Sequence, residues 1–105
     1  METEENEKVC YVKVHRQGSK VAVGVCDIGC LGKKFKNGKF QFVVSEAFFG
    51  GKQATLDESI NILENCDNFN AVGRRIVTEL IKRKMIHPEG VVEIEDTPIA
   101  IKILF

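Results

Sequence analysis

The sequence predicts an α+β domain, with a mostly antiparallel sheet in the order β-β-β-α-α-β-β and two helices packed on one of its faces. Three observations lead there. Residues 9–16 and 20–26 alternate apolar and polar side chains around Gln17-Gly18-Ser19, the pattern of a β-hairpin. Residues 70–85 place Val72, Ile76, Val77, Leu80 and Ile81 on one side of a helix, with Arg74, Arg75, Thr78, Glu79, Lys82 and Arg83 on the other. Residues 91–95 and 99–104 alternate again around Asp96-Thr97-Pro98, as a second strand pair does. Strands, then helices, then strands give a sheet whose neighbours run mostly antiparallel, with the helices stacked against it.

The elements follow in chain order. Cys10, Val12 and Val14 share one face of the first strand, and Val21, Val23 and Val25 share one face of the second. The opposite face of the second strand carries Ala22, Gly24 and Cys26. All three are small, so another element can approach closely there. Residues 27–39 read as a loop containing Gly29, Gly32 and Gly38, with Asn37-Gly38 a strong turn signal. Residues 40–44 give the third strand, with Phe40, Phe42 and Val44 on one face. Residues 45–53 are irregular, and Phe48 and Phe49 are expected to fold back onto the core across the bend at Gly50-Gly51. Thr55 with Glu58 three residues on is a capping-box pattern, starting a helix to about residue 65 that buries Leu56, Ile60 and Leu63. Residues 67–69 break that helix or bend it into the main one, and Pro88 stops further helix.

At 105 residues the chain is one domain, long enough to bury a core unaided. Residues 1–8 read as a disordered acidic tail and residues 9–105 as the folded domain. The 44% apolar and 29% charged fractions are those of a globular protein. No apolar run reaches the roughly 20 residues that span a bilayer, so no membrane association is expected. The acidic start is unlike a secretory or mitochondrial leader, which makes the cytoplasm the expected compartment. The net charge is zero, yet four Glu fall within residues 1–7 and leave the remainder with four excess positive charges. That surplus falls short of the strongly basic pattern of a dedicated nucleic-acid binder.

Cys10, Cys26, Cys30 and Cys66 are expected to be reduced and to pack as small hydrophobes. Cys26-Asp27-Ile28-Gly29-Cys30 has a spacing seen in zinc sites, but a structural site needs four ligands. The remaining candidates, Cys10, Cys66, His15 and His87, are scattered, so neither metal nor cofactor is expected. Asp27 follows a strand and precedes a glycine-rich turn, where it is expected to accept backbone N–H bonds and fix the loop. The glycines match neither the P-loop nor the dinucleotide spacing.

Several pieces carry a resemblance. They are Cys26-Asp27 through Leu31-Gly32-Lys33 with Phe35, and Val44-Ser45-Glu46 with Phe48-Phe49-Gly50-Gly51. Asn70-Ala71-Val72-Gly73 follows, and then Ile86-His87-Pro88 with residues 91–94, Pro98 and Ala100. Together, over nearly the whole chain after residue 9, they resemble a family of small archaeal proteins known as domain of unknown function 424. The resemblance implies a stand-alone archaeal, cytoplasmic domain with no established activity and a loose association with RNA or translation. It singles out Asp27, Gly32, Phe48, Gly50, Gly51, Asn70 and Gly73 as motif positions. The family's last strand often reads Pro-His-Ala; here Ile99 stands in place of the histidine, so any role of that histidine is absent.

The function expected from these residues is a non-enzymatic binding module for structured RNA or a ribonucleoprotein of the translation apparatus. Lys33, Lys34, Lys36 and Lys39 crowd one loop, with Phe35 available to stack on a base. Arg74, Arg75 and Lys82 lie on the outward half of the main helix, where lysines hold phosphates as point charges and arginines fork or stack. The bland alternative is a solvated face, with basic residues favouring the helix C-terminus. Two rival functions stand beside this one. A protein–protein adaptor would use the apolar residues around Phe48-Phe49 or an open strand edge. A small enzyme would use Asp27 with Cys26 or His87, gathered in a cleft.

Overall fold

The computed structural model of the chain describes residues 7–103. The expected opening hairpin is formed by β1 (Lys8–Gln17) and β2 (Lys20–Asp27), antiparallel, with His15 opposite Ala22 and Val12 opposite Val25. Residues 1–6 of the expected acidic tail lie outside the described residues, and Lys8 already opens β1.

The main sheet has six strands in the order β5-β1-β2-β6-β8-β7, and every neighbouring pair except β2–β6 is antiparallel. β5 is Lys52–Thr55, β6 is Asn68–Val72, β7 is Val92–Ile94 and β8 is Thr97–Lys102. A separate two-stranded hairpin, β3 (Lys34–Asn37) with β4 (Phe40–Val43), lies outside that sheet. Among the described residues three α-helices complete the fold: α1 (Glu46–Phe49), α2 (Leu56–Glu64) and α3 (Arg74–Lys82). Among the described residues no helix is long and apolar enough to cross a membrane.

Strand alternation divides the core in two. Cys10, Val12, Val23, Val25, Phe69, Ala71 and Ala100 pack with Ile60 and Leu63 of α2 and Ile76, Val77 and Leu80 of α3. Both expected helices therefore sit on one face. Cys26, Val72 and Ile99 point to the other face, where Phe35, Val44 and Phe49 cover them. Each large side chain removed from water contributes about 1.5–3 kcal/mol, and most of the fully buried ones lie on the helix side. The capping box of α2 forms as its sequence requires, Glu58 N–H donating to Thr55 Oγ1 and Thr55 N–H to Glu58 Oε1.

Five sequence expectations need correction. Residues 70–72 belong to a strand, so the main helix begins at Arg74 and ends at Lys82 rather than Met85. Ala71 and Val72 fit either periodicity, but Gly73 at φ 122° breaks the helical path, and the segment is held between β2 and β8. Residues 67–69 accordingly lead into β6 instead of bending one helix into another. The third strand does form, but it pairs with β3, from the expected loop, through the Asn37-Gly38 turn, and it never joins the main sheet. The irregular stretch 45–53 contains α1, whose cap is the Ser45 hydroxyl accepting from Phe48 N–H, and the start of edge strand β5. In the last hairpin the turn is Glu95-Asp96, both with positive φ, one position earlier than expected.

Phe48 and Phe49 fold back as anticipated. Phe49 is buried, and Phe48 lies over Gly24, where any β-carbon would run into its ring and carbonyl. The small-residue face of β2 does receive a close neighbour.

Candidate functional site

The parallel pair β2–β6 sets the geometry. Both strands end on the same side of the sheet, β2 at Asp27 and β6 at Val72, beside Gly73 and the start of α3. Ligands of open sheets with parallel neighbours collect outside such carboxyl ends.

Asp27 occupies the first position there. Its Oδ2 accepts from Arg75 N–H at 2.8 Å and its Oδ1 from Ile76 N–H at 3.0 Å. Gly73 stands at the N-cap of α3 and has no side chain to cap with, so the carboxylate from β2 satisfies those orphan amides. A β-carbon on Gly73 would collide with the Asp27 carboxylate, and its φ of 122° is in any case a glycine conformation. Burial pushes the Asp27 carboxyl above its ordinary value, opposed by the two amides and by Arg75. The expected role, accepting backbone N–H bonds, is realised, but on α3 rather than on the loop that follows Asp27.

That loop carries the hairpin root. A 3-10 turn over Ile28–Cys30 is followed by Gly32, whose N–H donates to Val44 O at 2.7 Å, and Val44 N–H returns to Lys33 O at 2.9 Å. The root thus closes against the chain entering α1. A depression of about 520 Å³ opens here, bounded by Glu7, Lys8, Asp27, Cys30, Lys33 and Arg75.

One residue of each basic cluster, Lys33 and Arg75, lines this depression. Lys34, Lys36 and Lys39 run outward along the exposed hairpin. Among the described residues no carboxylate lies within 4.0 Å of the ammonium group of Lys33, Lys34, Lys36, Lys39 or Lys82, although Glu95 Oε2 accepts from the Lys36 backbone N–H at 2.7 Å. The arginines are engaged. Arg74 Nη2 pairs with Glu93 at 3.2 Å and donates to Asp96 O at 2.8 Å, and Arg75 Nη2 is 3.7 Å from Glu7. Lys82 lies eight residues beyond Arg74, about 12 Å along the helix, and so stands apart. Arg83 joins the two helices, contacting Glu79 at 2.7 Å and Asp57 at 2.8 Å.

Phe35 is not the stacking residue expected of it. Its partner Phe42 and the alternation of β3 turn it inward, against Cys26, Val44 and Phe49, while Lys34 and Lys36 take the outer side. The exposed aromatic of the hairpin is Phe40, 79% exposed beside the turn. The signal for it was a large aromatic next to Lys39 just after Asn37-Gly38.

The groups of the enzymatic rival are not gathered. Both Asp27 oxygens are taken by amides, Cys26 is fully buried, and His87 lies beyond the opposite end of α3. Burial pushes the Cys26 and Cys10 thiols up to about 12, and the Cys30 thiol is raised for the same first reason. Among the described residues no three His, Cys, Asp or Glu side chains converge as metal ligands would. His87 Nδ1 accepts from Glu89 N–H at 3.1 Å, closing its own turn. His15 stacks on Phe48 with ring centroids 4.6 Å apart, its Nε2 2.9 Å from Phe48 O.

The motif positions turn out to be joints of this arrangement. Asp27 and Gly73 seat α3, Gly32 seats the hairpin, and Phe48 covers Gly24. Gly50 N–H closes α1 onto Glu46 O at 2.8 Å, Gly51 lies against the Val12 backbone, and Asn70 sits between Gly24 and Ile101 in the sheet. A family model described as Protein of unknown function (DUF424) matches residues 14–104. The chain belongs to this family. A solved structure described as the crystal structure of an uncharacterized conserved protein from Methanopyrus kandleri is similar, with a TM-score of 0.71 and 20% identity over 91% of this chain and 93% of that one. At that identity the likeness speaks to the fold, which the two share. No curated protein matches the chain.

Proposed function

We propose that the protein is a non-enzymatic, cytoplasmic module that binds structured RNA, free or within a ribonucleoprotein of the translation apparatus. One observation carries this reading: the lysines of the β3–β4 hairpin stand exposed with no carboxylate within 4.0 Å of their ammonium groups among the described residues, and their root shares a depression with Arg75. Ammonium groups left unneutralised along a projecting hairpin suit a phosphate backbone, which is recognised by charge and spacing. Phe40 takes the stacking role first sought in Phe35. The engagement of Asp27 with two amides supports binding rather than acid–base chemistry.

Titration with bulk tRNA at two salt concentrations tests the reading. Affinity falls steeply with salt, and Lys33→Ala with Lys36→Ala lowers the slope of log K against log salt by about 1–2. Lys82→Ala changes it least, because that lysine lies apart. Absence of binding at low salt ends the proposal.

A further inference from the structure

The six-stranded sheet has two open edges, β5 and β7. They differ in chemistry. β5 offers Lys52 and Gln53 and has no large exposed apolar residue. β7 pairs with β8 through Val92↔Ile99, Glu93↔Pro98 and Ile94↔Thr97. Pro98 has no N–H, and its carbonyl accepts from Gly73 on the β6 side. Glu93 therefore occupies the non-hydrogen-bonded position of the pair, and its own N–H and C=O turn away from the sheet.

Beside this edge, on the face away from α2 and α3, lies an apolar cleft of about 290 Å³ between Phe42 of β4 and Val92, Ile94, Ile99 and Ile101 of the last hairpin. Val92 is 55% and Ile101 53% exposed. Residues 89–96 carry Glu89, Glu93, Glu95 and Asp96 and no cation. Arg74 offsets Glu93, and Glu95 accepts from Lys36 N–H, yet the edge keeps a negative surplus.

We infer that the β7 edge docks an extended segment of a partner protein, which adds as a seventh strand, places one bulky apolar side chain in the cleft and carries Lys or Arg beside it. Main-chain pairing at an open edge supplies the attachment, and alternate side chains supply the choice of partner. The acidic rim repels phosphates, so this edge borders the proposed RNA surface at Lys36 and Arg74 without being part of it. A second copy fits poorly, because two-fold pairing of β7 sets Glu93 against Glu93.

Selection of a displayed library of random short peptides against the whole chain tests this, with Ile101→Ser selected in parallel. Ile101 is half exposed, and a cooperative unfolding transition with only a small drop in midpoint verifies the fold of the variant. Enriched peptides should alternate Lys or Arg with Leu, Ile, Val or Phe. They should bind Ile101→Ser about tenfold more weakly and Glu93→Gln severalfold more weakly. Their binding should protect the Glu93 amide from hydrogen exchange. Enrichment of no peptide, or of acidic ones, overturns the inference. So does binding unaffected by Ile101→Ser, protection at β5 instead of β7, or a dimer of the free chain that Ile101→Ser dissociates.

Discussion

One sheet carries two differently finished faces. Against the helix side, α2 and α3 press Ile60, Leu63, Ile76 and Leu80 onto Val23, Val25 and Phe69, all with 1% exposure or less. Against the other side, a short helix and a hairpin cover Cys26, Val72 and Ile99, leaving Val92, Ile101 and Ile103 more than half exposed. The first face is built for stability, and the second leaves surface over for recognition. Both proposed surfaces involve the hairpin that crosses the second face: its outer side carries the lysines, and its inner Phe42 walls the apolar cleft.

The contrast can be broken by substitution. Phe69→Ala should cost about 3–5 kcal/mol in urea unfolding, as a large cavity in a packed core does. Gly73→Ala should cost at least about 2 kcal/mol, since it meets both an unfavourable φ and the Asp27 carboxylate. If it costs little, the seat of α3 is looser than its hydrogen bonds imply. Asp27→Asn leaves one of the two amides without its acceptor and should cost about 1–2 kcal/mol near neutral pH. Ile101→Ser, on the other face, should cost less than about 1 kcal/mol. A larger loss would mean that the second face is core after all.

A pH series sharpens the Asp27 comparison. Folding raises this carboxyl above its ordinary 3.8, so the folded chain keeps the proton to higher pH than the unfolded chain does. The contribution of this group to stability is therefore greatest below the unfolded value and declines as pH rises through the folded titration. The advantage of the native chain over Asp27→Asn should shrink as pH is raised from 3.8 through that range. Glu58 runs the opposite way: its carboxyl is held below the ordinary 4.5, chiefly by the Thr55 amide, so its contribution is lost only as pH falls beneath that value.

Much of this was legible in the residues. Alternation fixed the first hairpin, and Thr55 with Glu58 fixed the start of α2, because both signals are local. Residues 68–72 were not legible as a strand. Their polar members, Asn68 and Asn70, break the apolar run typical of a central parallel strand, and their pairing partner is far back in the chain. The Lys-Phe-Lys-Asn of β3 carries one apolar residue, too few for a period to be read. Asp27 was marked as an acceptor of backbone amides, but which amides depended on the β2–β6 crossover. The same crossover brings Lys33 and Arg75 to the rim of one depression, which had no signature in either segment alone.

The β2–β6 ladder also bears on biosynthesis. Everything from Ile28 to Asp67 emerges from the ribosome before β6 can reach β2, so the inner margin of the nascent first hairpin waits uncovered while a long intervening stretch is made. Closing so distant a contact is slow, and an unprotected strand invites misassociation in the meantime. The final yield of native chains should therefore depend more on elongation speed and on holding factors than the modest length of the protein suggests.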